Sequence, residues 1–271
     1  MKDTFAFIGA GNMGGAVARA VCRAGAPERV IIFDKSSEKT SQLSEQSGCL
    51  VAESAEAAVR AAHFVFMCVK PNALAEVLTG LCGVLSEDKS KVIVSIAAGV
   101  STATISAVLA AQGLSLPVIR LMPNTPVMVG KGLILVAHND LTDEADLALL
   151  EAALSESGMV SRIDEAHIDA ATPVFSCSPA YIYMFIEALA DGGVMSGLPR
   201  DKSQLYAAQA VLGSAAMVME TGKHPGELKD MVCSPGGSTI VGVEELEKAG
   251  FRAAVTSAVY EAFLKTTRLG G

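Results

Sequence analysis

The segment Gly9-Ala10-Gly11-Asn12-Met13-Gly14 has the spacing G-x-G-x-x-G. It follows the apolar run Thr4 to Ile8 and opens a helical pattern with Met13, Val17, Ala20, Val21 and Ala24 on one face. Asp34 closes the next apolar run, Val30 to Phe33, about 20 residues beyond the third glycine. Glycines so placed let the backbone turn tightly and approach a pyrophosphate, whose charge the helix N-terminus stabilises. A lone G-x-G-x-x-G is often only a turn. With strand, helix and acidic residue in place, it predicts a dinucleotide site. Asp34 suits free ribose hydroxyls and opposes a 2′-phosphate, whereas Lys35, Ser36 and Ser37 offer that phosphate a cation and two hydroxyls. These residues leave NAD and NADP both open.

Three further segments end apolar runs where an open α/β sheet binds its ligands. Val69-Lys70-Pro71 places a cation before a loop-stiffening proline, and the small residues of Ala97-Ala98-Gly99 allow close approach to the backbone. In Met122-Pro123-Asn124-Thr125-Pro126, Asn124 is expected to face the crevice and orient nicotinamide or substrate. Far along the chain, Ser234-Pro235-Gly236-Gly237-Ser238-Thr239 leads into a helix beginning near Ile240. Two glycines let successive N–H groups converge, the helix dipole favours an anion, and Ser238 and Thr239 add hydroxyls. A glycine-rich helix entry with a serine or threonine cap would read the same way.

The elements that must position these residues alternate. Thr4 to Ile8, Val30 to Phe33, Phe64 to Val69, Val92 to Ile96 and Pro117 to Met122 read as buried parallel strands. Helices begin between them near Ser37, Ser54 and Ser101 or Thr102, each a plausible N-cap. Leu133 to Ala137 and Val160 to Ile163 complete the sheet around a helix that starts after Thr142 and ends at Gly158. Beyond Asp164 only helical patterns remain: Pro179 to Met195, Pro199 to Thr221, Ile240 to Ala249 and Phe251 to Arg268. The expected fold is α/β, with an N-terminal Rossmann domain over 1–163, its doubly wound sheet mostly parallel, and an all-helical domain over 164–271.

Composition removes several function classes. Of 271 residues, 51% are hydrophobic and 18% charged, a surplus that predicts buried subunit interfaces. No apolar run is long enough to span a bilayer and no leader pattern opens the chain, so a cytoplasmic protein without membrane association is expected. A net charge of -8 with scattered basic residues disfavours nucleic acid. The six cysteines form no C-x-x-C pair and the four histidines lack ligand spacing, so reduced thiols and no metal site are expected. Neither a nucleophile elbow nor a Walker loop supports hydrolysis or phosphoryl transfer.

Taken together, these segments resemble the pyrroline-5-carboxylate reductase family nearly end to end. The most specific stretch runs from Asp230-Met231-Val232-Cys233 through Ser234 to Ile240, then Leu246-Glu247 and Gly250-Phe251-Arg252. Ser95 to Val100, Met122 to Pro126, Pro179-Ala180-Tyr181 and Glu187 to Gly192 support it. Where the family usually shows a Ser-Gly-Ser-Gly run, this chain has Phe175-Ser176-Cys177-Ser178. The resemblance implies that the helical domain builds a homodimer, within a larger ring such as a decamer. It implies that Ser234, Gly236, Gly237, Ser238 and Thr239 hold the carboxylate of 1-pyrroline-5-carboxylate, with the Thr239 hydroxyl near the ring nitrogen. NADP is the implied cofactor, with NAD as the alternative, carried by Gly9 to Gly14, Val69 to Pro71, Ala97 and Ala98. Thr239 and Lys70 are the candidate catalytic residues. A β-hydroxyacid dehydrogenase would share the layout but needs a lysine on the long helix of its second domain, and Pro179 to Met195 contains none. A non-catalytic nucleotide sensor would keep the glycine loop and have no need of Ser234 to Thr239.

Overall fold

A computed structural model describes residues 3–25 and 27–268. Its first part alternates β1 (Phe5–Ile8), α1 (Asn12–Ala24), β2 (Val30–Phe33), α2 (Ser37–Ser47), β3 (Leu50–Val51), α3 (Ala55–Ala61), β4 (Phe64–Met67), α4 (Pro71–Leu85), β5 (Val92–Ser95) and α5 (Thr102–Ala110). Then follow β6 (Val118–Pro123), β7 (Gly132–His138), α6 (Glu144–Ala153) and β8 (Gly158–Arg162). The eight strands lie in the order β3-β2-β1-β4-β5-β6-β7-β8, all pairs parallel except β6 with β7. The reversal of order at β1 puts the glycine loop at the switch point of the sheet.

Strands covered on both faces have no solvent side, so their sequences are continuous apolar runs rather than alternating ones. All four residues of Phe5–Ile8 are buried. Phe5 and Phe7 join one core with Val17, Phe66 and Leu147, while Ala6 and Ile8 join the other with Leu78, Ile93 and Ile105. The Phe7 and Phe66 rings stack with centroids 4.2 Å apart.

Two helix starts match the sequence-based expectation and other boundaries depart from it. Ser54 and Ser101 cap α3 and α5 by accepting from Ala57 N at 3.1 Å and Thr104 N at 3.0 Å. At α2 the capping position belongs to Ser36, whose side chain makes no capping bond, and Ser37 is already helical. The pattern expected to run helically to Gly158 stops at Ala153, because a 3-10 turn at Ser155–Ser157 intervenes and Gly158, at φ 119°, opens β8. Strand β3 was not expected: two half-exposed residues at a sheet edge carry too little pattern to read.

After β8 come a 3-10 turn at Glu165–His167, α7 (Ile168–Thr172) and a π-helical turn at Pro173–Cys177. Glu165 binds this stretch to the sheet, accepting from Thr102 N and the Thr102 hydroxyl at 2.9 and 2.6 Å and pairing with buried Arg120 at 3.1 Å. The remaining helices are α8 (Ser178–Met195), α9 (Arg200–Thr221), α10 (Pro225–Met231), α11 (Ser238–Lys248) and α12 (Phe251–Thr266). The chain forms two compact units, one reaching Ser176 and resuming at Phe263, the other Cys177–Ala262. In the second, α8 and α9 pack closely, with buried Ser203 donating its hydroxyl to Ala190 O at 2.7 Å. Among the described residues no helix is long and apolar enough to cross a membrane.

Candidate active site

The glycine loop is shaped by close packing. Gly9 has φ 110°, and a Cβ there would lie 2.5 Å from Cys68 O. A Cβ on Gly14 would lie 2.7 Å from both Gly9 O and Cys68 Cβ, so only glycine lets α1 approach β4. Burial pushes the Cys68 thiol above its ordinary pKa and keeps it a neutral packing group. At Gly11 a Cβ would meet no protein atom within 4 Å. The space beside that backbone is open, as an approaching pyrophosphate requires. Gly11 is the N-cap of α1 with no side-chain bond across the helix start, which leaves the dipole's positive end uncovered.

Asp34 does not wait for hydroxyls with free oxygens, as its position in the sequence suggests. Its Oδ2 accepts from Ala10 N at 2.7 Å and its Oδ1 from Ser36 N at 2.9 Å. The carboxylate therefore staples the glycine loop to the turn after β2. A cleft of about 600 Å3 opens beside the loop, lined by Gly9, Gly11, Asp34, Lys35, Val69 and Lys70 among others. Lys70 sits exposed at the N-cap of α4, with Pro71 as that helix's first residue. A second pocket of about 260 Å3 lies between α1 and α2, lined by Ala10, Gly11, Asn12, Arg19, Lys39 and Gln42 among others.

Other predicted residues lie elsewhere. Met13, Gly14, Ser36, Pro71, Ala97, Ala98 and Asn124 line neither cavity. Ala97 is buried in the core, so only its backbone can meet a ligand, at a turn that Gly99 closes with φ 75°. Asn124 corrects the sequence-based expectation that it faces the crevice. It is buried, its Oδ1 accepts from Leu133 N at 2.9 Å, and its Nδ2 donates to Phe175 O at 2.9 Å. An amide held at both ends positions the β6–β7 connection and the π-helical turn. Arg19 and Lys39 were missed by sequence reasoning. The signal was present, since Arg19 lies two helical turns beyond Asn12 and Lys39 one turn beyond Ser36.

In the helical unit, Gly237 N donates to Ser234 O at 3.0 Å across Pro235 and Gly236, the latter at φ 69°. Proline followed by a positive-φ glycine is the chemistry of a type II turn. A Cβ on Gly237 would collide with Ser234 Oγ. Gly237 caps α11 without any side-chain capping bond, so the Thr239 hydroxyl is not a cap. Ser238 and Thr239 occupy the first turn, exposed and with no acidic neighbour there. Their backbone N–H groups belong to the set that no helix satisfies internally, and they form a small anion-accepting surface.

Comparison with known proteins agrees with both parts. Residues 165–269 match the family model described as pyrroline-5-carboxylate reductase dimerisation, and residues 4–99 match NADP oxidoreductase coenzyme F420-dependent. The chain is 42% identical over 271 residues to pyrroline-5-carboxylate reductase of Escherichia coli (strain K12), covering 99% of each. The crystal structure of the Plasmodium falciparum pyrroline carboxylate reductase with NADP bound superposes with a TM-score of 0.86 at 31% identity, covering 99% of this chain and 98% of that one. The pyrroline-5-carboxylate reductase of Coxiella burnetii gives a TM-score of 0.90 at 29% identity, with both chains covered completely. With this identity sustained over the whole length, the chain belongs to the pyrroline-5-carboxylate reductase family.

Proposed function

We propose that this protein reduces 1-pyrroline-5-carboxylate to proline with NADPH. The observation that carries the reading is the start of α11 behind the Ser234–Gly237 turn, where Gly237 at the N-cap supplies no side chain to the first N–H groups, a site for a small carboxylate that nucleotide binding alone does not need. The open backbone at Gly11 and the cleft beside it fit a dinucleotide. When bound, the reduced nicotinamide supplies a hydride to the C=N carbon.

The chain's own residues position rather than activate. Ser238 and Thr239 N–H groups hold the carboxylate, with Ser234, Gly236 and Gly237 shaping the turn. The Thr239 hydroxyl orients the ring nitrogen, which carries its proton as an iminium and becomes the amine of proline. An iminium is already electrophilic, so orientation supplies a large share of the rate and no strongly shifted acid is required. The absence of lysine from α8 separates this reading from alcohol oxidation. On the cofactor side, Gly9, Ala10, Gly11, Asn12, Met13 and Gly14 form the pyrophosphate turn, Lys35 and Ser36 adjoin the ribose, and Val69, Pro71, Ala97 and Ala98 border the nicotinamide path. Lys70 holds cofactor or loop geometry, and Asp34 and Asn124 brace the site.

In this reading residues 1–163 carry the cofactor and 164–271 the substrate and subunit contacts. The protein works in the cytoplasm as a homodimer within a larger ring such as a decamer. Exposed apolar helices and the matched dimerisation model support the dimer. The test mixes purified protein with 1-pyrroline-5-carboxylate and NADPH or NADH, following nicotinamide absorbance and proline. Proline formed with loss of NADPH is expected, and no turnover with either cofactor would refute the reading.

A further inference from the structure

Arg120 is buried on β6, in register with Ser95 of β5. Its Nη1 donates to Glu165 Oε1 at 3.1 Å and its Nη2 stands 3.7 Å from Asp169 Oδ1. A guanidinium withdrawn from water needs such carboxylates close by. Glu165 does more than neutralise it. The same carboxylate accepts from Thr102 N at 2.9 Å and from the Thr102 hydroxyl at 2.6 Å, and Thr102 is the first residue of α5. The N-cap Ser101 accepts from Thr104 N. The start of α5 is thus closed by its own serine and by a carboxylate 63 residues away, whereas no side-chain capping bond crosses the starts of α1 and α11. A negative charge already occupies that dipole's positive end, so α5 is not a place for an anionic ligand.

The segment leading into α5 is the turn at 97–101. Nicotinamide carries no negative charge, so a closed helix start beside it forfeits no ligand contact. What closure supplies is a fixed turn. On the strand side Ala97 N donates to Ser95 Oγ at 3.2 Å, and within the turn Val100 N donates to Ala97 O at 3.4 Å, with Gly99 at φ 75°. On the helix side Glu165 grips Thr102. Arg120 serves both ends, its backbone in register with Ser95 and its guanidinium on Glu165. Glu165 lies past the boundary at 163 expected from the sequence, yet it belongs to the sheet unit.

We propose that Glu165, oriented by Arg120, is a positioning residue for hydride transfer. By holding Thr102 it fixes the turn at 97–101, and that backbone sets where the nicotinamide ring lies. This inference rests on the reading above, in which Ala97 and Ala98 border the nicotinamide path.

The test compares Glu165→Gln with the wild type on the full chain. Calorimetry counts binding sites and measures affinity with adenosine 2′,5′-bisphosphate, a ligand that lacks nicotinamide, and steady-state kinetics then give kcat per binding site. Because a small misplacement of reacting atoms is costly, kcat per site is expected to fall about tenfold or more, with bisphosphate affinity unchanged. A merely structural role would lower the number of sites and the melting temperature while each remaining site kept its kcat. Since removing the partner of a buried arginine can unfold the chain, Thr102→Val is the second variant. It loses only the hydroxyl bond to Glu165 and leaves the ion pair with Arg120, so a smaller fall in kcat per site is expected at a melting temperature near the wild type's. Unchanged kcat per site in Thr102→Val and in any folded Glu165→Gln would overturn the proposal. So would a bisphosphate affinity that falls in step with kcat, because the disturbance would then reach the whole cofactor site. Wild-type protein that binds the bisphosphate but forms no proline removes the underlying reading and this inference with it, a result visible before any variant is made.

Discussion

Strand β1 buries all four of its residues, whereas the sixteen-residue α12 buries none. The contrast extends to other elements: β4 and β5 are wholly buried, while α9 buries two of its 22 residues and leaves Leu205, Leu212 and Met219 in the open. Those three recur every seventh residue, the spacing of a helix seam that meets another helix. The sheet unit closes its own core, and the helical unit requires another surface. The two sites differ in the same way, since Gly9 and Gly14 are wedged against Cys68, while the Ser234–Thr239 loop is held by one turn hydrogen bond and a helix start.

The strongest way to break this comparison is Leu212→Asp. A carboxylate placed in a buried subunit seam costs several kcal/mol, so light scattering should fall from the wild-type oligomer to the mass of a single chain. An unchanged mass would show that the seam is not where chains meet. Phe7→Ala tests the self-sufficient unit. Losing a fully buried ring stacked on Phe66 should cost about 3–5 kcal/mol in denaturant titration, without changing the oligomer's mass.

Gly11→Val separates site from fold. A Cβ there meets no protein atom within 4 Å, so the melting temperature should hold, while NADPH affinity falls on the order of hundredfold as the branched group fills the pyrophosphate space. Comparable affinity in wild type and variant would remove the glycine loop from cofactor binding. The smallest expected effect belongs to Thr239→Ala, which keeps the backbone N–H and loses an orienting hydroxyl. A loss of about 1–3 kcal/mol of transition-state stabilisation, tenfold or more in kcat/KM, should come with an unchanged melting temperature, since the hydroxyl caps nothing. Intact kcat/KM in that variant would leave Thr239 with no role in orientation.

Much of this was legible beforehand because the signals are local. Strands buried on both faces announce themselves as short apolar runs, and Ser54 and Ser101 cap the helices their positions suggest. What escaped was short or governed by neighbours. Helix α10, at seven residues, is too brief for a period to emerge, and the π-helical turn at Pro173–Cys177 follows from how its flanks pack. The Phe175 to Ser178 departure from the family run falls on this turn and the first residue of α8. Asn124 was misread because a polar residue between prolines resembles an exposed loop, while its partners, Leu133 and Phe175, lie on other elements.

By itself the sequence determined the alternation of the longer strands and helices, the glycine loop, the glycine-rich entry to α11 and the family, since each depends on residues adjacent in the chain. Only the tertiary structure decided what Asp34 does, because Ala10 reaches its carboxylate through the pairing of β1 with β2. It likewise brought Arg19 and Lys39 to one pocket and left the apolar faces of the helical unit without cover. These are properties of surfaces that chain segments form only after they pack, and no spacing along one segment encodes them.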